Sequence, residues 1–149
     1  MTPRRGLAWA AGAAAVAALA VWGWIVLQAS AERTRGAAIF GGSAALPGRL
    51  PGHDAALPTF ATRCINCHGA ATATPTGASA TFATAISGAT LTTPRSRRGG
   101  PMSTFDATRL CTLLRDGTDP AHVVISTTMP RYDVTDAQCN DLWVYLNTR

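Results

Sequence analysis

Cys64-Ile65-Asn66-Cys67-His68 is the stretch on which the reading of this chain turns. Two cysteines three positions apart lie on one side of a helical turn, and a histidine directly follows the second. Each thiol can add across one vinyl group of a haem, giving two thioether bonds. The histidine is then carried beneath the ring, where its Nε2 can bind iron. This spacing is the attachment pattern of c-type haem. Other readings of the same residues are poorer. A zinc site needs two more ligands, and no second Cys/His pair stands at metal spacing. A thioredoxin-like redox pair wants a βαβ context, which the sequence lacks. A chance match is uncommon in a chain with 4 cysteines in all.

Outward from the motif, the pattern is helical. Pro58 suits a first helical turn, and Phe60, Cys64 and Cys67 fall at i, i+4 and i+7. Gly69 can stop this helix. Residues 103–116 form a second expected helix, with Ser103 and Asp106 as a capping pair and Gly117 as the stop. The last helix starts at Thr135, with Gln138 as capping partner, and carries Cys139, Leu142, Trp143 and Leu146 on one face. Residues 70–93 read mostly as loop, and Asp119-Pro120 marks a turn. The one strand signal is a short stretch at 123–125. No internal repeat is present, so the expected count is one haem.

The sixth iron position has four candidates: His53, Met102, His122 and Met129. Met129-Pro130 lies in a polar loop before the last helix, where a chain can reach across the haem, and Pro130 stiffens it. A thioether there is soft and neutral and favours ferrous iron. Met102 sits at an expected helix start and suits packing better. His122 lies beside a turn, and His53 lies in a Gly/Pro-rich leader. Met129 is the expected ligand, and a gap-filling methionine is the competing reading.

Arg4 and Arg5 precede 22 uncharged residues, 7–28, which contain Trp9, Trp22 and Trp24. As a helix this run spans about 30 Å, enough to cross a bilayer. The two arginines hold its start in the cytoplasm, so the rest lies outside. The run exceeds the usual signal core, and Trp22 and Trp24 suit an outer interface, so a retained anchor is expected. Cleavage after Ala31 in Ala29-Ser30-Ala31 is the alternative. Either way the domain is exported. The expected divisions are a signal-anchor or signal peptide at 1–31, an irregular leader at 32–57 and a haem domain at 58–149. Within the leader, residues 33–40 are a short helix candidate.

Export bears on the remaining cysteines. Cys111 and Cys139 fall on apolar faces of the last two helices, and an oxidising compartment favours a bridge over two buried thiols. Its closed loop predicts a chain-entropy gain of about 3–4 kcal/mol. Formal net charge is +5, all of it from arginine among the basic residues. Beyond the apolar run 11 arginines face 8 acids, a net of +3. Haem propionates bring this nearer zero, which argues against nucleic acid as a partner. Arg95, Arg97 and Arg98 cluster before Gly99-Gly100-Pro101. One can hydrogen-bond a propionate, or the three form a docking or solvated patch.

From residue 58 to the end, the chain resembles the class I c-type cytochromes. The resemblance rests on Cys64-Ile65-Asn66-Cys67-His68-Gly69, then Leu113-Leu114-Arg115-Asp116-Gly117, then Met129-Pro130-Arg131-Tyr132, and finally Leu142-Trp143-Val144-Tyr145-Leu146. It implies an all-α fold, a small helical bundle around one haem, with the first and last helices crossing. It carries Cys64 and Cys67 to covalent attachment, and His68 and Met129 to axial ligation of one haem c. The leader and the long loop 70–101 depart from the compact family pattern. The expected function is single-electron transfer on the periplasmic side of a bacterial cytoplasmic membrane, without enzymatic activity. Expected partners are redox proteins: a dehydrogenase, a bc-type complex or a terminal oxidase. A haem enzyme or gas sensor with an exchangeable sixth site is the alternative.

Overall fold

The computed structural model describes residues 4–69, 83 and 86–149, with side chains from residue 15 onward. The chain divides into two compact units, Met1–Ala31 and Glu32–Arg149. Helix α1 runs over Arg4–Gly41. Its stretch Ala15–Gly41, with a mean hydropathy of 1.4, is long and apolar enough to be a membrane anchor or a signal segment. Val16, Leu19, Trp22, Trp24 and Leu27 are exposed there.

Within the second unit, residues 32–41 are helical, which includes the short helix expected at 33–40; the helix is continuous with the apolar run instead of standing alone in an irregular leader. Tertiary contact accounts for its stability. Gly36 lies so close to the carbonyl of Asp141 that no Cβ fits, and a Cβ there would also sit 2.7 Å from Cβ of Tyr145. The Arg35 guanidinium grips the buried Asp141 carboxylate at 2.8 and 2.9 Å. Ile39 and Phe40 are buried, and the Phe40 ring lies 5.6 Å from that of Tyr145. Asp141 and Tyr145 belong to the last helix, α5 (Asp136–Leu146). This seam lies next to the cavities described below.

Helix α2 is only Cys64–His68. The expected start at Pro58 is instead a turn, closed by Ala61 N–H donating to the Pro58 carbonyl at 2.8 Å. Thr62 is buried there, its hydroxyl donating to the Thr59 carbonyl at 3.1 Å. Helix α3 (Gly88–Thr92) begins with a full capping box from Ser87 and Thr90. It falls in the segment read as loop, most of which lies outside the described residues. Helix α4 is Ala107–Asp116, capped by Asp106 rather than Ser103, and ends on Gly117 in the left-handed region at φ 73°. Ser103 is otherwise engaged: strand β3 (Met102–Ser103) pairs antiparallel with β2 (Arg95–Ser96). A second ladder joins β1 (Gly48–Arg49) to β4 (Arg131–Tyr132). Residues 123–125 contribute one isolated bridge, Thr118 to Val124, and no strand. The Thr135–Gln138 capping box opens α5 as expected.

The chain is therefore mostly helical, with two short ladders that the all-α expectation did not include. Its core gathers Phe40, Leu91, Phe105, Leu110, Leu114 and Leu142. Cys111 and Cys139 are buried within that core at disulfide distance, Cα to Cα 5.4 Å, and join α4 to α5.

Candidate cofactor site

Two adjoining cavities, of about 410 and 880 Å³, share Cys64, His68, Arg98, Met129 and Tyr132 as lining. Volumes of this order accommodate organic cofactors. The smaller cavity has an apolar wall from Leu110 and Leu114 of α4 and Leu142 and Leu146 of α5. The larger adds Cys67, Arg63 and Pro130.

Cys64 and Cys67 are half-buried thiols, outside any disulfide. The short α2 brings both, with His68, to one edge of the cavities. Burial pushes the Cys64 thiol up to about 11, and the neighbouring Cys67 adds to the effect.

Opposite in sequence, the Met129 loop is held by its own hydrogen bonds. Met129 N–H donates to the Ser126 carbonyl at 3.2 Å, and the Ser126 and Thr128 hydroxyls are 2.7 Å apart. Ile125 N–H donates to the Gly117 carbonyl at 2.8 Å, tying the loop to the end of α4. The Arg131 guanidinium donates to the Met129 carbonyl at 2.7 Å and occupies the space a Cβ at Gly117 would need. Glycine at 117 is thus required twice, for its left-handed backbone and for the arginine packed on it.

Tyr132 joins the two sides. Its buried hydroxyl donates to the Thr62 carbonyl at 3.2 Å, two residues before Cys64. Burial raises its pKa far above the usual phenol value, with Cys64 and Cys67 adding to the rise. The resemblance contained Tyr132, yet nothing local marked it as a bridge, because its partner is 70 positions away.

Every charged side chain lining either cavity, among the described residues, is an arginine: Arg63, Arg95, Arg97 or Arg98. Arg97 is consumed internally. Its guanidinium donates to the carbonyls of Ser103, Thr90 (3.0 Å) and Leu91 (3.3 Å) and sits 4.9 Å above the Phe105 ring. Burial lowers its pKa. Arg95 and Arg98 make no such commitment of their side chains among the described residues. Arg98 lines both cavities from a left-handed backbone, φ 51°.

Of the four sequence candidates for a second axial group, Met129 alone lines the cavities. Met102 is 65% exposed on β3 and lines neither. His53 and His122 are exposed and line neither. No cluster of three or more His, Cys, Asp or Glu able to hold a metal occurs among the described residues.

No protein-family model, no curated protein and no solved structure matches this chain.

Proposed function

We propose that this chain is a monohaem c-type cytochrome that passes single electrons between redox proteins outside the cytoplasmic membrane. The observation that carries the reading is the convergence of Cys64 and His68, from one short helix, and Met129, from a loop 61 positions beyond His68, on the same two adjoining cavities. The donor set fits haem c: two thiols for thioether bonds, an imidazole and a thioether for the axial positions. When bound, the group supplies a one-electron ferric/ferrous couple.

The chain's own residues do the rest. Cys64 and Cys67 would hold the ring by thioether bonds, and His68 and Met129 would supply the two ligands to its iron. Leu110, Leu114, Leu142 and Leu146 exclude water from one face of the site. The loop that carries Met129 is fastened by Ser126, Thr128 and Arg131. Arg95 and Arg98, whose guanidinium groups are uncommitted among the described residues, suit the two propionates. The apolar part of α1 anchors the domain to the membrane, which places it on the periplasmic side, or is removed after Ala31 to release it there. The partners are a dehydrogenase, a bc-type complex or a terminal oxidase.

The test is direct. Protein purified from a host able to attach haem c is extracted with acid–organic solvent, and its intact mass is measured. One haem should stay with the polypeptide and add one haem mass. Extractable haem, no haem or two haems refutes the proposal. Carbon monoxide added to the reduced protein should leave the spectrum unchanged. Tight binding would reveal an open sixth site and replace electron carriage with haem enzymology or gas sensing.

A further inference from the structure

Strand β4 has two residues, Arg131 and Tyr132, and successive strand side chains leave on opposite faces. Tyr132 lines both cavities, and Arg131 lines neither. Both side chains reach backbone carbonyls. The Arg131 guanidinium donates to the Met129 carbonyl at 2.7 Å, tying the strand to the loop before it. The Tyr132 hydroxyl donates to the Thr62 carbonyl at 3.2 Å, tying the strand to the turn that enters α2. The strand thus joins the segment that carries Met129 to the segment that carries Cys64 and His68.

The far end of this connection is fixed. Thr62 is 2% exposed, and its own hydroxyl donates to the Thr59 carbonyl at 3.1 Å. Strand β1 closes over the contact. A Cβ at Gly48 would lie 3.2 Å from the Tyr132 ring and 3.3 Å from the Thr62 methyl. Leu57 N–H donates to the Gly48 carbonyl at 2.8 Å, and Asp133 N–H donates to the Pro47 carbonyl at 3.0 Å.

Filling the cavity wall does not account for the hydroxyl. Phenylalanine has nearly the same volume and brings no polar atom into the interior, where a hydroxyl is costly unless it is bonded. What the oxygen adds is a tie across 70 positions of chain, between the two sides of the cavities. A thioether favours ferrous iron, so in the ferric state the methionine position is the one an outside ligand can take. How easily it is taken depends on how firmly the loop is held.

We propose that Tyr132 is a positioning residue: its hydroxyl, bonded to the Thr62 carbonyl, keeps the Met129 loop at a fixed reach from the Cys64–His68 helix and so keeps outside ligands off the sixth iron position. The inference rests on the haem reading above. Tyr132 acts through Met129 and not on the iron.

The experiment uses the holoprotein, after covalent haem has been established by mass, so failure of the haem reading is seen first and separately. Imidazole is titrated into the ferric protein, and loss of the methionine–ferric absorption band is followed. A nitrogen replaces the sulfur on iron, with no electron transferred. Tyr132→Phe should keep the band at zero imidazole and lower the concentration for half-displacement about fivefold, the weight of one hydrogen bond. Tyr145→Phe makes the same chemical change at a ring that packs on Phe40 and lines neither cavity, and it should shift nothing. In a Met129→Ala background, which has no sulfur to displace, adding Tyr132→Phe should leave imidazole affinity unchanged. If Tyr132→Phe does not mature, Arg131→Gln, which removes the other tie of the strand, should show the same shift. An unchanged half-displacement in the variant that matures overturns the proposal, even where denaturant unfolding shows lost stability. So does an equal shift in Tyr145→Phe, or a shift that persists in the Met129→Ala background. Failure of both β4 variants to mature also overturns it, assigning the strand to folding alone.

Discussion

The second unit holds two cysteine pairs that share a residue type and little else. Cys64 and Cys67 are neighbours on a helix of five residues, half-buried, with both thiols outside any disulfide. Cys111 and Cys139 are 28 positions apart on two packed helices, buried, at disulfide distance. The first pair faces cavities, and the second lies behind the leucines that wall one of them. What separates the two pairs is placement. A pair across two helices has a partner sulfur at hand, whereas a pair on one short helix has open space for a ligand's carbon atoms. The proposed function turns on this division: one pair binds the cofactor, and the other braces its wall.

The largest effect should come from the first pair. Cys64→Ala or Cys67→Ala should lower mature covalent holoprotein by more than about tenfold, measured by haem staining after denaturation. Normal yields of doubly linked haem in either variant would break the division outright. Next comes the residue facing that pair. Met129→Ala should abolish the methionine–ferric band, lower the potential and admit carbon monoxide. Met102→Ala, at an exposed strand position, should leave all three unchanged.

The bracing pair should act on stability instead. Cys111→Ala with Cys139→Ala should cost about 3–4 kcal/mol in denaturant unfolding, while haem attachment persists. Loss of attachment with stability unaltered would invert the comparison. The smallest effect concerns Tyr132, which touches the stretch leading to Cys64. Its folded pKa is raised above the ordinary phenol value by burial, so its contribution is present below about pH 10 and is lost as pH rises beyond. Tyr132→Phe should remove that alkaline component of unfolding and cost about 1 kcal/mol at neutral pH.

What could be read beforehand was local. The Cys64–His68 spacing, the Thr135–Gln138 cap, the Gly117 stop and the Met129-Pro130 loop are each written within a few residues. The choice of Met129 over Met102 followed from the turn context, and the cavities are lined by the former alone. What escaped reading depends on partners far away. Ser103 and Asp106 both look like caps, and only the pairing of Ser103 with Arg95 takes it out of contention. The close packing at Gly36 was hidden too, because a glycine carries no hint of the carbonyl it will meet. The role of Arg97 was equally hidden. Three neighbouring arginines look alike until Thr90, Leu91 and Ser103 supply the carbonyls that use one of them up.

The Arg35–Asp141 contact also has a consequence in time. It closes a segment of 106 positions, from near the start of the second unit to the middle of its last helix. Chain synthesis delivers Arg35 106 positions ahead of Asp141, so the seam at Gly36 cannot zip until that whole intervening length has been made. Contacts of such long separation slow folding, and they leave a window in which the two cysteine pairs are both loose in solvent. The order in which that window closes decides whether four sulfurs sort themselves correctly.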